Sequence, residues 1–191
     1  MGFEYSHLDE TDVRDAMVAC WEGEWATLGS IAGPMRPYGK QLTPIGWDSF
    51  AEVMPEALAN HHDDWLRERM SDLSYWDTHL TRNTKQGVKL VDYNKPDAIQ
   101  KLCYGEFNIA YIRGLATALS ARGETECVVY RANSAYVPRG ECSEWEGKQF
   151  PLQAVIDGHR ARYWPPDKSD RSVFSVPSGP NCHHSIRAVS A

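Results

Sequence analysis

The chain of 191 residues lacks the long apolar runs and the basic excess that mark membrane proteins and general DNA-binding proteins. No stretch approaches the ~18 consecutive apolar residues of a membrane-spanning helix. The first ten residues are polar and acidic, so we expect no signal peptide and no secretion. The net charge is −6, whereas proteins that grip duplex DNA through its phosphates usually carry a basic face. Weak or no direct nucleic-acid binding, and no membrane binding, are therefore expected.

The five cysteines are odd in number, and no Cys-x-x-Cys pair occurs among them. Because no secretion signal is expected, a disulfide framework is disfavoured, and reduced thiols or a metal are the better interpretations. Cys20, Cys103 and Cys127 are predicted to be buried as small apolar side chains. Cys142 and Cys182 lie in predicted turns. A shared Zn²⁺, a disulfide and unligated thiols all remain open for this pair.

Two helical regions are predicted in the first half of the chain. The first covers residues 11–28, where apolar residues recur near helical spacing, and a loop rich in glycine and proline follows over residues 29–44. The second covers residues 47–75 and carries an apolar stripe at intervals of three and four. Pro55 is expected in a first turn or at a break, where its missing N–H does least harm. His62 falls on the stripe and is expected at the core or its boundary.

The longest helical pattern runs from Pro96 to Arg122. Its apolar residues cover more than one face, so this helix is predicted to be the central element of the fold. Gly105 and Gly114 each weaken the helix by ~1 kcal/mol, which indicates the close approach of a neighbour. Gly123 supplies a left-handed residue that ends the helix.

Short strands are predicted mainly in the last third of the chain. Residues 127–130 form a buried strand, and two more strands are expected over residues 147–150 and 173–176. Residues 88–93 form a strand-like run within a polar segment. Strands of this length between turn residues are typical of a small, loop-rich β unit.

Together these elements predict an α+β fold in which a long central helix packs on a small, loop-rich β unit. The hydrophobic fraction of 42% and the aromatic fraction of 11% are those of a globular protein. We divide the chain into a helical N-terminal region, residues 1–95, and an α+β module, residues 96–191.

The most specific pattern for a functional site lies near the C-terminal end. One cysteine precedes a Gly-Lys-x-Phe strand, and another follows a proline-rich turn and adjoins two histidines. Thiolates and imidazoles are the ligands that tetrahedral zinc prefers. A catalytic zinc would also need an open position and a general base such as Glu144 or Glu146. The candidate metal ligands are Cys142, Cys182, His184 and either His159 or His183.

The same segment belongs to a longer ordered set of residues that runs from Pro96 to Val189. A helix carries Glu-x-Asn-x-Ala and a later glycine. A strand, a cysteine, Gly-Lys-x-Phe, a loop and a terminal Pro-x-Cys-x-His turn then follow. This order resembles the Mu F-like minor head, or head-morphogenesis, proteins of tailed phages. Trp145 stands where many members have a second cysteine. The residues that carry the resemblance are Glu106, Asn108, Ala110, Gly114, Val128–Tyr130, Cys142, Gly147, Lys148, Phe150 and Pro180–His184.

The resemblance implies a structural protein of the phage head. Such a protein is not an enzyme, associates with portal and capsid proteins, and is found in the virion head or in the host cytoplasm. It requires no cofactor, and a structural Zn²⁺ is the one candidate that the cysteines and histidines suggest. Glu106 and Asn108 are then fold determinants that hold a polar loop by bonding its backbone N–H groups.

Two other classes of function are kept as alternatives. One is a small zinc-dependent hydrolase or toxin-like effector that uses Cys142, Cys182 and His184. The other is a plain interaction module, which seven tryptophans and nine tyrosines would suit.

Two further clusters have the residue types of a functional site. Residues 61–64 read His-His-Asp-Asp, but adjacent residues on a helix point about 100° apart, so the four cannot all face one ion. An ADP-ribosyltransferase site uses an arginine, a serine and a glutamate. The same residue types follow one another here as Arg131, Ser134 and Glu144, but their order without the surrounding strands is weak support for such a site.

Overall fold

The computed structural model describes residues 2–28, 41–134, 146–158 and 182–189. They form five α-helices and five β-strands, and all of these except the β1–β2 hairpin surround one apolar core. The predicted α+β class, with a long helix packed on small β units, is confirmed. The helices are α1 (Thr11–Leu28), α2 (Pro44–Asn60), α3 (Asp63–Arg69), α4 (Lys95–Ala121) and α5 (Leu152–Gly158), and the strands are β1 (Leu80–Thr84), β2 (Gly87–Val91), β3 (Glu126–Arg131), β4 (Gln149–Pro151) and β5 (His184–Ala188).

Helix α4 is the central element, as its apolar pattern predicts. Asn94 caps its first turn by accepting a hydrogen bond from the Asp97 N–H, at 3.1 Å, and Gly123 ends it with a φ of 87°. The helix packs against α1, α2, α3, α5 and β5. It is therefore covered on every side, which explains why its apolar residues do not keep to one face.

Helix α1 lies directly against α4, and Gly114 is the point of closest approach. A Cβ atom at Gly114 would lie 2.6 Å from the backbone nitrogen of Met17. The same pair of helices is tied at its other end by Arg122, whose guanidinium bonds Asp12 Oδ2 at 2.9 Å and also Glu10. The close approach predicted for Gly114 is thus confirmed.

The second helical region differs from the prediction. Helix α2 begins at Pro44, with Thr43 as its N-cap, and continues through Pro55 to Asn60. Pro55 is thus neither in a first turn nor at a break. The helix instead stops before His62, whose extended backbone starts α3, so His62 is exposed rather than at the core boundary.

A three-stranded antiparallel sheet in the order β4-β3-β5 packs on α4 through β5. Strand β3 matches the predicted buried strand, with Cys127 opposite Ala188 and Val129 opposite Ile186. Strand β4 begins two residues later than predicted, after Gly147 turns with a φ of 77°. The strand predicted over residues 173–176 lies outside the described residues.

Strands β1 and β2 form a separate two-stranded hairpin. The strand-like run predicted near residues 88–93 is thus its second strand, which ends at Val91. The strands pair with each other and pack extensively against no other described helix or strand. The Tyr93 hydroxyl bonds the carbonyl of Asp77 across its base, at 2.6 Å. Every residue from Thr81 to Leu90 is exposed.

The thiols predicted to be buried are largely so. Cys103 and Cys127 are fully buried, and burial raises the pKa of Cys127 to about 12. Cys20 is half-buried, with its sulfur 3.6 Å from the Thr117 hydroxyl. Among the described residues, no helix is both long and apolar enough to cross a membrane.

Two glycines in helices give a matched test of the α1–α4 contact. Gly114→Ala should lower the free energy of unfolding by 1 kcal/mol or more, because the added methyl group meets Met17 backbone atoms. Gly23→Ala should raise it by about 0.5–1 kcal/mol, because no atom beyond its chain neighbours and its own helix backbone lies within 4 Å of the added Cβ. Urea unfolding of both variants measures the two changes. Equal effects of the same sign would mean that α1 and α4 do not approach as described.

Candidate functional site

The described residues of the predicted metal site meet at the start of β5. Cys182 and His184 are two residues apart, so their side chains leave the strand on the same face. The Cys182 sulfur lies 3.7 Å from Nδ1 of His184. The other ring nitrogen of His184, Nε2, lies 2.8 Å from Oε1 of Glu146. The imidazole therefore stands between a thiol and a carboxylate.

Glu146 lies in the turn before β4 and connects two strands of the sheet. Its carboxylate accepts from His184 of β5 and forms an ion pair with Arg131 of β3. The hydrogen bond from His184, assisted by the nearby Arg131 charge, lowers the pKa of Glu146 below its ordinary value. Glu146 therefore stays ionised and can orient the imidazole at neutral pH.

The geometry around His184 fits one part of a zinc site. A thiolate and an imidazole nitrogen on one tetrahedral Zn²⁺ lie ~3.6 Å apart, close to the distance between Cys182 and His184. Zinc-bound histidines commonly donate their second ring N–H to a carboxylate, which is the place of Glu146. Within the part of the chain that the structure describes, no three side chains form a complete metal-binding group.

The other predicted ligands cannot be placed. Cys142, His159 and the alternative base Glu144 lie outside the described residues. The zinc and disulfide interpretations of the Cys142–Cys182 pair therefore both stay predictions. His183 does not join Cys182 and His184, since its ring lies 6.3 Å from that of Phe3 on the other side of the strand.

Asn108 links the central helix to this site. It is fully buried, and its Nδ2 donates a 2.8 Å hydrogen bond to the carbonyl oxygen of His184. We expected Asn108 to accept hydrogen bonds from the N–H groups of a loop, and this part of the prediction is wrong. Residues 184–188 form a strand, and the strand offers its carbonyl to the helix. Glu106, two residues earlier on α4 and therefore on a different face of the helix, is also buried.

The residues of the ADP-ribosyltransferase hypothesis are not brought together within the described chain. Arg131 is engaged by Glu146, Ser134 is exposed beyond the end of β3, and Glu144 is among the residues not described. The hypothesis therefore gains no support from the geometry.

The carboxylates of Asp63 and Asp64 hold the N-terminal segment of the chain. Asp63 is 1% exposed, and its Oδ2 accepts a 2.9 Å hydrogen bond from the Phe3 N–H. Asp64 accepts from the Gly2 N–H at 2.9 Å and from the Tyr104 hydroxyl at 2.5 Å. The two acids therefore join α3, α4 and the N-terminal segment. Burial, with the neighbouring Asp64 charge, raises the pKa of Asp63 to about 6.

The two histidines beside these acids point elsewhere. His61 stacks on the ring of Trp65, with centroids 4.1 Å apart and planes 8° from parallel. His62 is exposed at the start of α3. Residues 61–64 therefore form the junction between α2 and α3 and attach the N-terminal segment to it.

The sequence did not reveal that Asp63 binds the N-terminal segment or that Arg131 forms an ion pair with Glu146. For Asp63 the only local signal was an acidic pair at a helix start, which is ordinary for any helix. The missed strand β5 had a clearer signal, because Ile186 and Ala188 alternate with polar residues as in a strand.

The chain matches no protein-family model, and it has no significant similarity to a curated protein or to a solved structure. The site is therefore interpreted from its own chemistry and from the ordered motif described above.

The raised pKa of Asp63 predicts how stability changes with pH. Between its ordinary pKa of 3.8 and about 6, the folded state holds a proton that the unfolded state has released. The contribution of Asp63 to stability should thus fall as pH rises through this window, by at most about 3 kcal/mol. Asp63→Asn lacks this titration, so the wild-type protein should lose stability relative to the variant between pH 4 and 6. Urea unfolding of both proteins at several pH values measures the difference, and a constant difference across the window contradicts the assignment.

Proposed function

We propose that this protein is a structural component of a tailed-phage head, a minor head protein that associates with the portal or with capsid subunits. The observation that carries the proposal is the hydrogen bond from Asn108 to the carbonyl of His184. It joins the first and last parts of the ordered set that resembles the head-morphogenesis proteins. Those residues of the set that the structure describes thus contribute to one packed unit of α4 and the sheet, as a shared structural motif should.

The burial of the polar residues in this unit supports a structural role. Asn108 is 0% exposed, His184 1% and Cys182 6%. Buried polar groups with fixed partners hold a fold in one arrangement, whereas a catalytic group must reach its substrate. Asn108 and His184 meet where α4 packs on β5, which is the position of groups that set the geometry of a core.

The charge of the chain favours proteins over nucleic acid as partners. A net charge of −6 opposes close contact with DNA phosphates. An association with portal or capsid proteins would place this chain in the virion head, or in the host cytoplasm before assembly.

One observation favours a second candidate, a small zinc-dependent hydrolase or toxin-like effector. The His184 imidazole stands between the Cys182 thiol and the Glu146 carboxylate. Such an order can orient a metal ligand or activate a nucleophile. The near-complete burial of Cys182 and His184 weighs against it, because an open position for substrate is required.

Incorporation into phage heads tests the proposal directly. Heads would be purified from cells that express the chain together with the portal and major capsid proteins of the phage. The wild-type chain should be present in these heads by mass spectrometry. His184→Ala and Cys182→Ser should reduce its incorporation, because both side chains are buried at the start of β5, beside the backbone that Asn108 of α4 holds. His62→Ala is the matched control, and since His62 is exposed its incorporation should equal that of the wild-type chain.

The same purified variants discriminate the two candidate functions. Each would be assayed for metal-dependent hydrolysis of nucleotides and peptides, and the proposal expects none in the wild-type protein. A hydrolytic activity that both variants lose, with incorporation into heads unchanged, would establish the enzyme instead.

A further inference from the structure

The exposed hairpin is the largest element of the described chain that has no packing partner. An isolated two-stranded hairpin is only marginally stable in water and usually needs a third surface to pack on. Strands β1 and β2 obtain no such surface from the described helices and strands. We refer to residues 80–91 as the hairpin arm.

The arm presents an apolar pair on one face. Thr81 pairs with Leu90 and Asn83 with Val88, so these four side chains share a face of the ribbon. Val88 is 67% exposed and Leu90 is 70% exposed. Both are large apolar side chains of the kind that a docking surface covers.

The arm is also cationic, whereas the remainder of the chain is acidic in net charge. Arg82 and Lys89 lie opposite each other on the second face, and Lys85 is at the tip. The arm contains no acidic residue, so it carries +3. Because the whole chain carries −6, the remainder carries −9.

A second surface of the chain has the complementary chemistry. Ile45, in the first turn of α2, is 64% exposed, and Leu73, in the 3-10 turn at Leu73–Tyr75, is 61% exposed. The two elements abut, since the Thr43 N–H bonds the Tyr75 carbonyl at 2.9 Å. Exposed acids flank them, with Asp48 on the next turn of α2 and Asp72 beside Leu73. We call Ile45, Asp48, Asp72 and Leu73 the α2 corner.

We propose that the hairpin arm of one copy docks on the α2 corner of a second copy of this chain. The apolar face of the arm then covers the apolar pair of the corner, and the cations meet the flanking acids at the rim. This is the usual anatomy of a protein interface, with an apolar centre and a charged rim. Within one chain the two surfaces stay apart, since all four apolar side chains remain exposed.

A two-fold dimer is the arrangement that fits best. Each copy carries one arm and one corner, so both contacts form together and close the assembly. One contact between a short ribbon and a helix corner is small, and two are needed to approach the ~1,200 Å² that stable interfaces bury. Pairing of two arms with each other is disfavoured, because it would bring two +3 surfaces together.

The oligomeric state of the purified full-length chain tests the proposal. Sedimentation velocity and light scattering would follow the mass from about 1 µM to 1 mM, the range in which such a contact is expected to associate. The mass should rise with concentration from 21.6 kDa toward twice that value. Val88→Asn with Leu90→Ser, and separately Ile45→Ser with Leu73→Ser, should each weaken the dimer at least tenfold. Val189→Ser is the matched control, since Val189 is exposed but lies in neither surface.

A charge exchange tests which surfaces meet. Lys85→Glu and Asp48→Lys should each weaken the dimer, because each places like charges at the rim. An equimolar mixture of the two variants should dimerise again, since both of its contacts then join opposite charges. A wild-type chain that stays monomeric throughout overturns the proposal. So does a dimer that neither double variant weakens, or a mixture that associates no better than its two components.

Discussion

The burial of α4 is the constraint on which the rest of the structure depends. Its 27 residues run through the middle of the fold, and α1, α2, α3, α5 and β5 all pack on it. A helix covered on every side must fit each neighbour at a fixed distance. On the side that faces α1, Gly114 allows the close approach, because a methyl group at this position would overlap Met17. On the side that faces β5, Asn108 supplies the hydrogen-bond donor that a buried strand carbonyl needs.

The candidate site is a consequence of the same packing. Because Asn108 fixes the backbone of His184, the imidazole is held between Cys182 and Glu146. The site then depends on the helix and on all three strands, since Glu146 precedes β4 and pairs with Arg131 of β3. A group supported from so many directions is rigid, which suits a structural metal or a core contact better than an open catalytic centre. The exposed hairpin, by contrast, depends on none of these contacts, so it is the element best placed to meet a partner.

The sequence predicted the parts of the fold whose pattern is local. The length of α4, the close approach at Gly114 and strand β3 follow from periodicity and glycine placement. Strand β5 was missed, because its short alternating run lies beside a proline-rich turn. The course of α2 through Pro55 was missed because packing of the helix outweighs the local cost of proline. The bond between Asn108 and His184 joins residues 76 apart, and nothing in a single sequence reports such a contact.

Native-state hydrogen exchange tests most directly whether α4 and the site strand form one unit. The account predicts that the amides of α4 between Leu102 and Leu119 exchange only through global unfolding. The paired amides of β5 should show nearly the same free energy of exchange, because the buried Asn108 contact opens only when the core does. The amides of the hairpin arm should exchange at a far lower free energy. If the β5 amides exchanged at a free energy as low as that of the hairpin amides while the α4 amides stayed protected, the strand would open alone, and this result would contradict the account.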